Sequence, residues 1–191
     1  MVSELETYLD QLTSIRQDAG GLMSGLSDEQ FMWRPDPGRW SMSECFDHLN
    51  ITAERNFIPG IDGAIADARK RGLTSAGPFV YPALQQLFLR VSEPPPKVRF
   101  KAPAAAKPKH PRPLSVVRDE FMAWQDRIAE RIHQAEGLDL RKARHPTPLR
   151  VWRWSLGTYL GVTLAHERRH IWQARQVRNT AGFPPAQQGV G

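Results

Sequence analysis

The segment "LAHERRH", residues 164–170, places two histidines four residues apart with a glutamate directly after the first. If the segment is helical, His166 and His170 stand one turn apart, and at that separation two imidazoles can bind one metal ion. Together with Glu167 they form H-E-x-x-H, the pattern of zinc peptidases, in which the glutamate is the general base. A buried pair of structural histidines is the alternative interpretation. A third ligand would favour the metal site.

The position of that third ligand argues against a typical peptidase. Such enzymes usually take it from a histidine, glutamate or aspartate downstream of the motif. Residues 171–191 contain none of the three. The ligand must therefore come from upstream, where the candidates are His48, His110, His133 and His145. Of these, only His48 lies on the predicted inward face of a helix, although a lone histidine there is more often a hydrogen-bonded core residue.

Four segments with helical periodicity would have to position these residues. The first runs from about residue 3 to 19 and is expected to end before Gly20 and Gly21. The second begins at the capping box of Ser41 and Glu44 and extends to about residue 72. Proline and glycine at positions 59 and 60 are expected to bend this second helix, and residues 27–40 are expected to form a loop before it.

The third and fourth helices complete the set. Residues 114–137 carry one apolar stripe, and the fourth helix starts near Ser155. At about 100° per residue, His166 and His170 fall in one inward sector of the fourth helix, together with Gln173. Gln173 could orient a ligand or be an ordinary core amide.

A long crossover separates the second helix from the third. Residues 71–113 lack helical periodicity except in "YPALQQLFLRV", and seven of the 16 prolines lie from Pro94 to Pro113. Neither side forms a complete core by itself, so one domain spanning residues 1–191 is expected. The sequence therefore predicts an all-α protein, a four-helix bundle with a proline-rich crossover between helices 2 and 3.

Composition and charge restrict the classes of function. Cys45 is the only cysteine, which excludes an internal disulfide and a thiolate-rich zinc site. With no signal peptide or membrane span evident, a cytoplasmic protein is expected. The net charge of +6 is concentrated in residues 97–113 and 141–191. No nucleic-acid-reading motif accompanies this charge, so nucleic-acid binding is the least favoured function. The basic residues are interpreted as a solvated surface, and the alternative is a basic rim that attracts an anionic substrate.

Three segments together resemble the DinB-like superfamily. They are "RPDPGRWSMSECFDHLN" (residues 34–50), "VRFKAPAAAKPKHPRP" (98–113) and "LGVTLAHERRHIWQARQV" (160–177), in the expected order and at about the expected separations. The resemblance implies a four-helix bundle of the DinB type in which a histidine of the second helix and the histidine pair of the fourth bind a divalent metal. Matched residue by residue, it gives His48, His166 and His170 as ligands. It also implies a possible homodimer.

The same resemblance sets the expected activity. The superfamily includes thiol transferases that use bacillithiol and similar thiols, and others have been described as metal-dependent hydrolases. Three neutral imidazoles leave a coordination position open, and zinc or nickel is the favoured metal. The expected function is therefore transfer of a low-molecular-weight thiol to an electrophilic small molecule. The alternatives are a hydrolase that uses metal-bound water and a non-enzymatic stress-response module. No catalytic residue is assigned. Glu167 is expected to turn away from the ion and to act as a base or a neighbouring group.

Overall fold

The computed structural model describes residues 3–96, 101–147 and 152–185, and this part of the chain is mostly helical, as the all-α prediction requires. The helices are α1 (Ser3–Met23), α2 (Asp28–Met32), α3 (Met42–Thr52), α4 (Ile58–Lys70), α5 (Ala83–Ser92), α6 (Leu114–Gln134) and α7 (Leu156–Arg178). Two short strands, β1 (Arg144–Pro146) and β2 (Arg153–Ser155), form an antiparallel hairpin that the sequence did not predict. None of the described helices is long and apolar enough to cross a membrane.

The longer helices pack in pairs around a common hydrophobic core. α1 and α3 each contact both α6 and α7. Core side chains from these helices are buried, among them Leu12, Phe46, Phe121, Ile128 and Leu164. This packing sets α3 directly against α7, so the inward face of α3 meets the inward face of the helix that carries the histidine pair.

A π-helical turn, Ala53–Phe57, joins α3 to α4. The bend expected at Pro59 and Gly60 stays a prediction, and the irregular hydrogen bonding lies directly before these two residues. Pro59 follows this turn and has no N–H to donate to one of its carbonyl groups, which fits the irregular hydrogen bonding there. π turns are rare and often occur at functional sites.

Two further boundaries differ from expectation. α1 does not end before Gly20 but continues to Met23, because burial of Leu22 and Met23 offsets the helix penalty of about 1 kcal/mol for each glycine. The predicted loop at residues 27–40 contains α2, whose capping box is formed by Ser27 and Gln30. The same capping chemistry that identified the start of α3 also marked this short helix.

The predicted crossover contains α5, at the place where "YPALQQLFLRV" indicated a helix, and a single 3₁₀ turn, Ala104–Ala106. Its residues 97–100 lie outside the described part of the chain. Arg112 anchors its end: the guanidinium donates to Asp47 at 2.7 Å on α3 and to Glu120 at 2.6 and 2.8 Å on α6. Part of the positive charge of this segment is thus neutralised by ion pairs within the protein.

Glycine at position 60 allows α4 to approach α7 closely, and we expect Gly60→Ala to destabilise the protein by about 2 kcal/mol. A Cβ there would lie 2.2 Å from Cε1 of Tyr159. That ring cannot easily move, because it is 1% exposed and its hydroxyl donates to the carbonyl of Pro146 at 2.7 Å. Urea unfolding would measure the change.

Gly21→Ala is the matched control, since a Cβ at that helical position meets nothing within 4 Å. It should stabilise the protein by about 0.5 to 1 kcal/mol, because alanine loses less backbone entropy than glycine in a helix. Equal shifts of the two variants in the same direction would contradict the proposed clash with Tyr159.

Candidate metal centre

The three predicted ligands come together where α3 faces α7. His48 comes from α3, and His166 and His170 come from consecutive turns of α7. One ring nitrogen from each lies within 4.8 Å of the other two. The Nε2 atoms of His48 and His166 are 3.2 Å apart. Two nitrogens bound to one tetrahedral ion at 2.0 to 2.1 Å would be separated by about 3.4 Å, so this spacing fits a shared divalent ion.

The crossover fixes the orientation of His48. Its Nδ1 donates to the carbonyl oxygen of Ala106 at 2.6 Å, since a carbonyl can only accept. The proton is therefore on Nδ1, and Nε2 presents its lone pair to the other histidines. A backbone carbonyl that holds the outer nitrogen in this way is a common partner of metal-binding histidines. Arg55 supports the same turn by donating to the carbonyl of Ala105 at 2.9 Å.

Apolar surroundings keep the three imidazoles neutral. The Trp40 ring packs against His48 and His170, with centroids 5.0 and 6.0 Å away, and Phe57 of the π turn packs 5.1 Å from His166. Burial lowers the pKa of all three imidazoles, and most strongly those of His166 and His170, where the other histidines and Arg169 act in the same direction. The neutral form is the one that binds metals.

The two histidines of α7 are less well satisfied by hydrogen bonds than His48. The Nδ1 atoms of His166 and His170 are buried and have no hydrogen-bond partner in the described part of the chain. Gln173, which the sequence placed on the same stripe, lies close enough to His170 to act on the pKa of its imidazole. The two interpretations of Gln173, a residue that orients a ligand and an ordinary core amide, both stay predictions.

Glu167 lies outside the group of ligand atoms and faces α6 instead. Its Oε1 accepts a hydrogen bond from Nε2 of Gln125 at 2.8 Å. Oε2 of Glu167 and the side-chain amide oxygen Oε1 of Gln125 are both buried without a partner among the described residues. Burial raises the pKa of this carboxyl to about 7. The peptidase interpretation needs Glu167 beside the metal, and the geometry gives it no support.

The match to known families covers this whole arrangement. The model of the DinB superfamily matches residues 11–174, a range that includes all three histidines. The chain belongs to the DinB superfamily. No curated protein and no solved structure gave a significant match. DinB membership confirms the resemblance that the sequence indicated, and the converging histidines are compatible with a divalent-metal site.

The remaining histidines of this DinB-superfamily chain are placed elsewhere. His110 and His133 are exposed, and His145 lies in β1, outside the three-histidine group. Sequence reasoning did not identify Gln125 or the carbonyl of Ala106 as partners of site residues. Gln125 falls on the buried stripe of α6 four residues after Phe121, so its polar side chain on an apolar face was the available signal.

Proposed function

We propose that this chain is a metal-dependent enzyme that transfers a low-molecular-weight thiol to an electrophilic small molecule. The observation that carries the proposal is the convergence of His48, His166 and His170. A divalent ion, with zinc or nickel as the favoured choices, would lower the pKa of a thiol or water molecule bound in its open position. The fold proposed with it is the DinB-type four-helix bundle, supported by the pairwise packing of α1, α3, α6 and α7.

The state of Cys45 favours a sulfur nucleophile from outside the chain. Cys45 is fully buried, and burial raises the pKa of its thiol. A protonated, inaccessible thiol cannot attack a substrate. In the proposed reaction the sulfur of the external thiol forms a bond to carbon, the leaving group departs with its electron pair, and the thiol proton passes to solvent.

The residues around the histidines would prepare the site for this chemistry. The Ala106 carbonyl holds His48 in the tautomer whose Nε2 is free. Trp40 and Phe57 cover the imidazoles with apolar surface, which limits the access of water. Electrostatic attraction between an ion and an anionic sulfur is stronger in such surroundings than in bulk water.

The number of ligands argues against a purely structural metal. A structural ion usually has a closed shell of four protein ligands. Within the residues that the structure describes, the group contains only the three histidines as His, Cys, Asp or Glu ligands. The non-enzymatic module is therefore the weaker alternative.

Thiol binding can be tested with cobalt-substituted protein titrated with bacillithiol, glutathione and coenzyme A. We expect at least one thiol to produce sulfur-to-metal charge-transfer absorption and to be conjugated to a model electrophile such as monobromobimane faster than without protein. His170→Ala should lose both signals. Hydrolysis of a model ester without any thiol signal would instead favour the hydrolase. Absence of charge-transfer absorption, thiol conjugation and ester hydrolysis together would favour the non-enzymatic module.

A further inference from the structure

An open groove of about 470 Å³ lies between the π turn, the start of α4, the β hairpin and α7. Its polar lining includes Arg55, Asn56, His145, Thr147, Arg153 and Tyr159. Gly60 lines the groove, and close packing there depends on two glycines of α4: a Cβ at Gly63 would lie 2.1 Å from Nδ1 of His145, and one at Gly60 would meet Tyr159. The hairpin and α7 can therefore lie directly on the backbone of α4.

The charge of the groove is one-sided. Among the residues that the structure describes, its lining holds two arginines and no carboxylate. Arg55 donates to a carbonyl of the crossover, and Arg153 donates to the carbonyl of Arg144 at 2.9 Å. Neither arginine makes an ion pair with any residue that the structure describes. Arg153 does act electrostatically on Asp67, but that carboxylate is already paired with Arg71 at 3.0 Å.

The groove begins next to residues that contact His48 and His166. Arg55 holds the turn whose next carbonyl, that of Ala106, orients His48. Asn56 directly precedes Phe57, which packs on His166. Tyr159 lies seven residues before His166 on the same helix, a separation of about 10 Å along the axis. A small molecule of ordinary size can span that distance.

We propose that this groove binds the carboxylate or phosphate group of an anionic small-molecule substrate between Arg55 and Arg153, with the rest of that molecule directed toward the three histidines. Arginine guanidinium groups match the planar, multi-acceptor geometry of both anions. Binding of the anion is inferred from the groove alone. Only the reaction of the other end of the molecule at the three histidines rests on the proposed function.

The test is calorimetric titration of the full-length, metal-free protein with inorganic phosphate and with malonate at constant ionic strength. Saturable binding of one or both is expected, and the pair of probes distinguishes a phosphate site from a carboxylate site. Arg55→Gln and Arg153→Gln should each weaken binding about tenfold or more, because a hydrogen bond to a charged group is lost. Thermal unfolding would verify that both variants fold.

Arg90→Gln is the matched control, since Arg90 is an exposed arginine of α5 outside the groove. Its binding should stay within about twofold of the parent protein, because only net charge changes. The proposal is wrong if neither anion binds saturably, or if the Arg55→Gln, Arg153→Gln double variant binds as well as the parent. Because metal-free protein is used, failure of thiol transfer would leave this result unaffected.

Discussion

His48→Ala should lower the affinity for a divalent metal by on the order of a hundredfold to a thousandfold, because it removes one of three ligands from the proposed site. His48 contributes the Nε2 atom that lies 3.2 Å from Nε2 of His166, and its Nδ1 is already held by Ala106. No other histidine of the described chain lies near enough to replace it. The loss should equal that of His170→Ala in elemental analysis after dialysis.

The matched control is His133→Ala, which removes an exposed histidine of α6 and should leave metal content unchanged. All proteins should be purified without a histidine tag, so that the measured ion belongs to the chain. Full stoichiometry and unchanged affinity in His48→Ala would show that His48 is not a ligand and that the three-histidine site is wrong.

Glu167→Gln should stabilise the metal-free protein by roughly 3 kcal/mol at pH 8. The pKa of this buried carboxyl is raised from 4.5 to about 7, so folding favours its neutral form. That contribution is fully present below pH 4.5 and is lost as the pH rises through 7. At pH 8 the protein must bury a charged carboxylate, whereas glutamine is neutral and its amide could donate to the unpartnered carbonyl oxygen of Gln125.

Urea unfolding at pH 8 and pH 5 would measure this effect, and the gain should fall below about 1 kcal/mol at pH 5. Glu6→Gln, at an exposed position of α1, should change stability by less than about 0.5 kcal/mol at either pH. Metal content should be the same in Glu167→Gln as in the parent. A variant less stable than the parent at pH 8 would show that the ionised carboxylate stabilises the fold.

The helices were predictable where local chemistry and periodicity agree. The capping box of Ser41 and Glu44 begins α3, and the apolar stripe of α6 is buried as expected. Local rules failed where tertiary contacts decide the outcome. α1, for example, passes through two glycines to bury Leu22.

The candidate site shows the same division. The four-residue spacing and the shared inward face of the helix predicted that His166 and His170 lie together. His48 was selected because it was the one upstream histidine on the inward face of a predicted helix, and all three lie together in the structure. The groove could not be foreseen, because it depends on an unpredicted hairpin and on the close approach that two glycines of α4 permit. Sequence patterns describe one element at a time, whereas the π turn, α4, the hairpin and α7 all contribute to this surface.

The hydrogen bond from His48 to the crossover has a consequence for how this site would respond to mutational scanning. Its acceptor is the main-chain oxygen of Ala106, which every amino acid possesses. No replacement at position 106 can delete that acceptor, and a change there can act only by displacing the turn. A mutational scan of side chains would therefore miss the 3₁₀ turn at Ala104–Ala106, although this turn orients His48. Inserting or deleting a residue between the 3₁₀ turn and Arg112 would reveal it, because that shifts the oxygen itself.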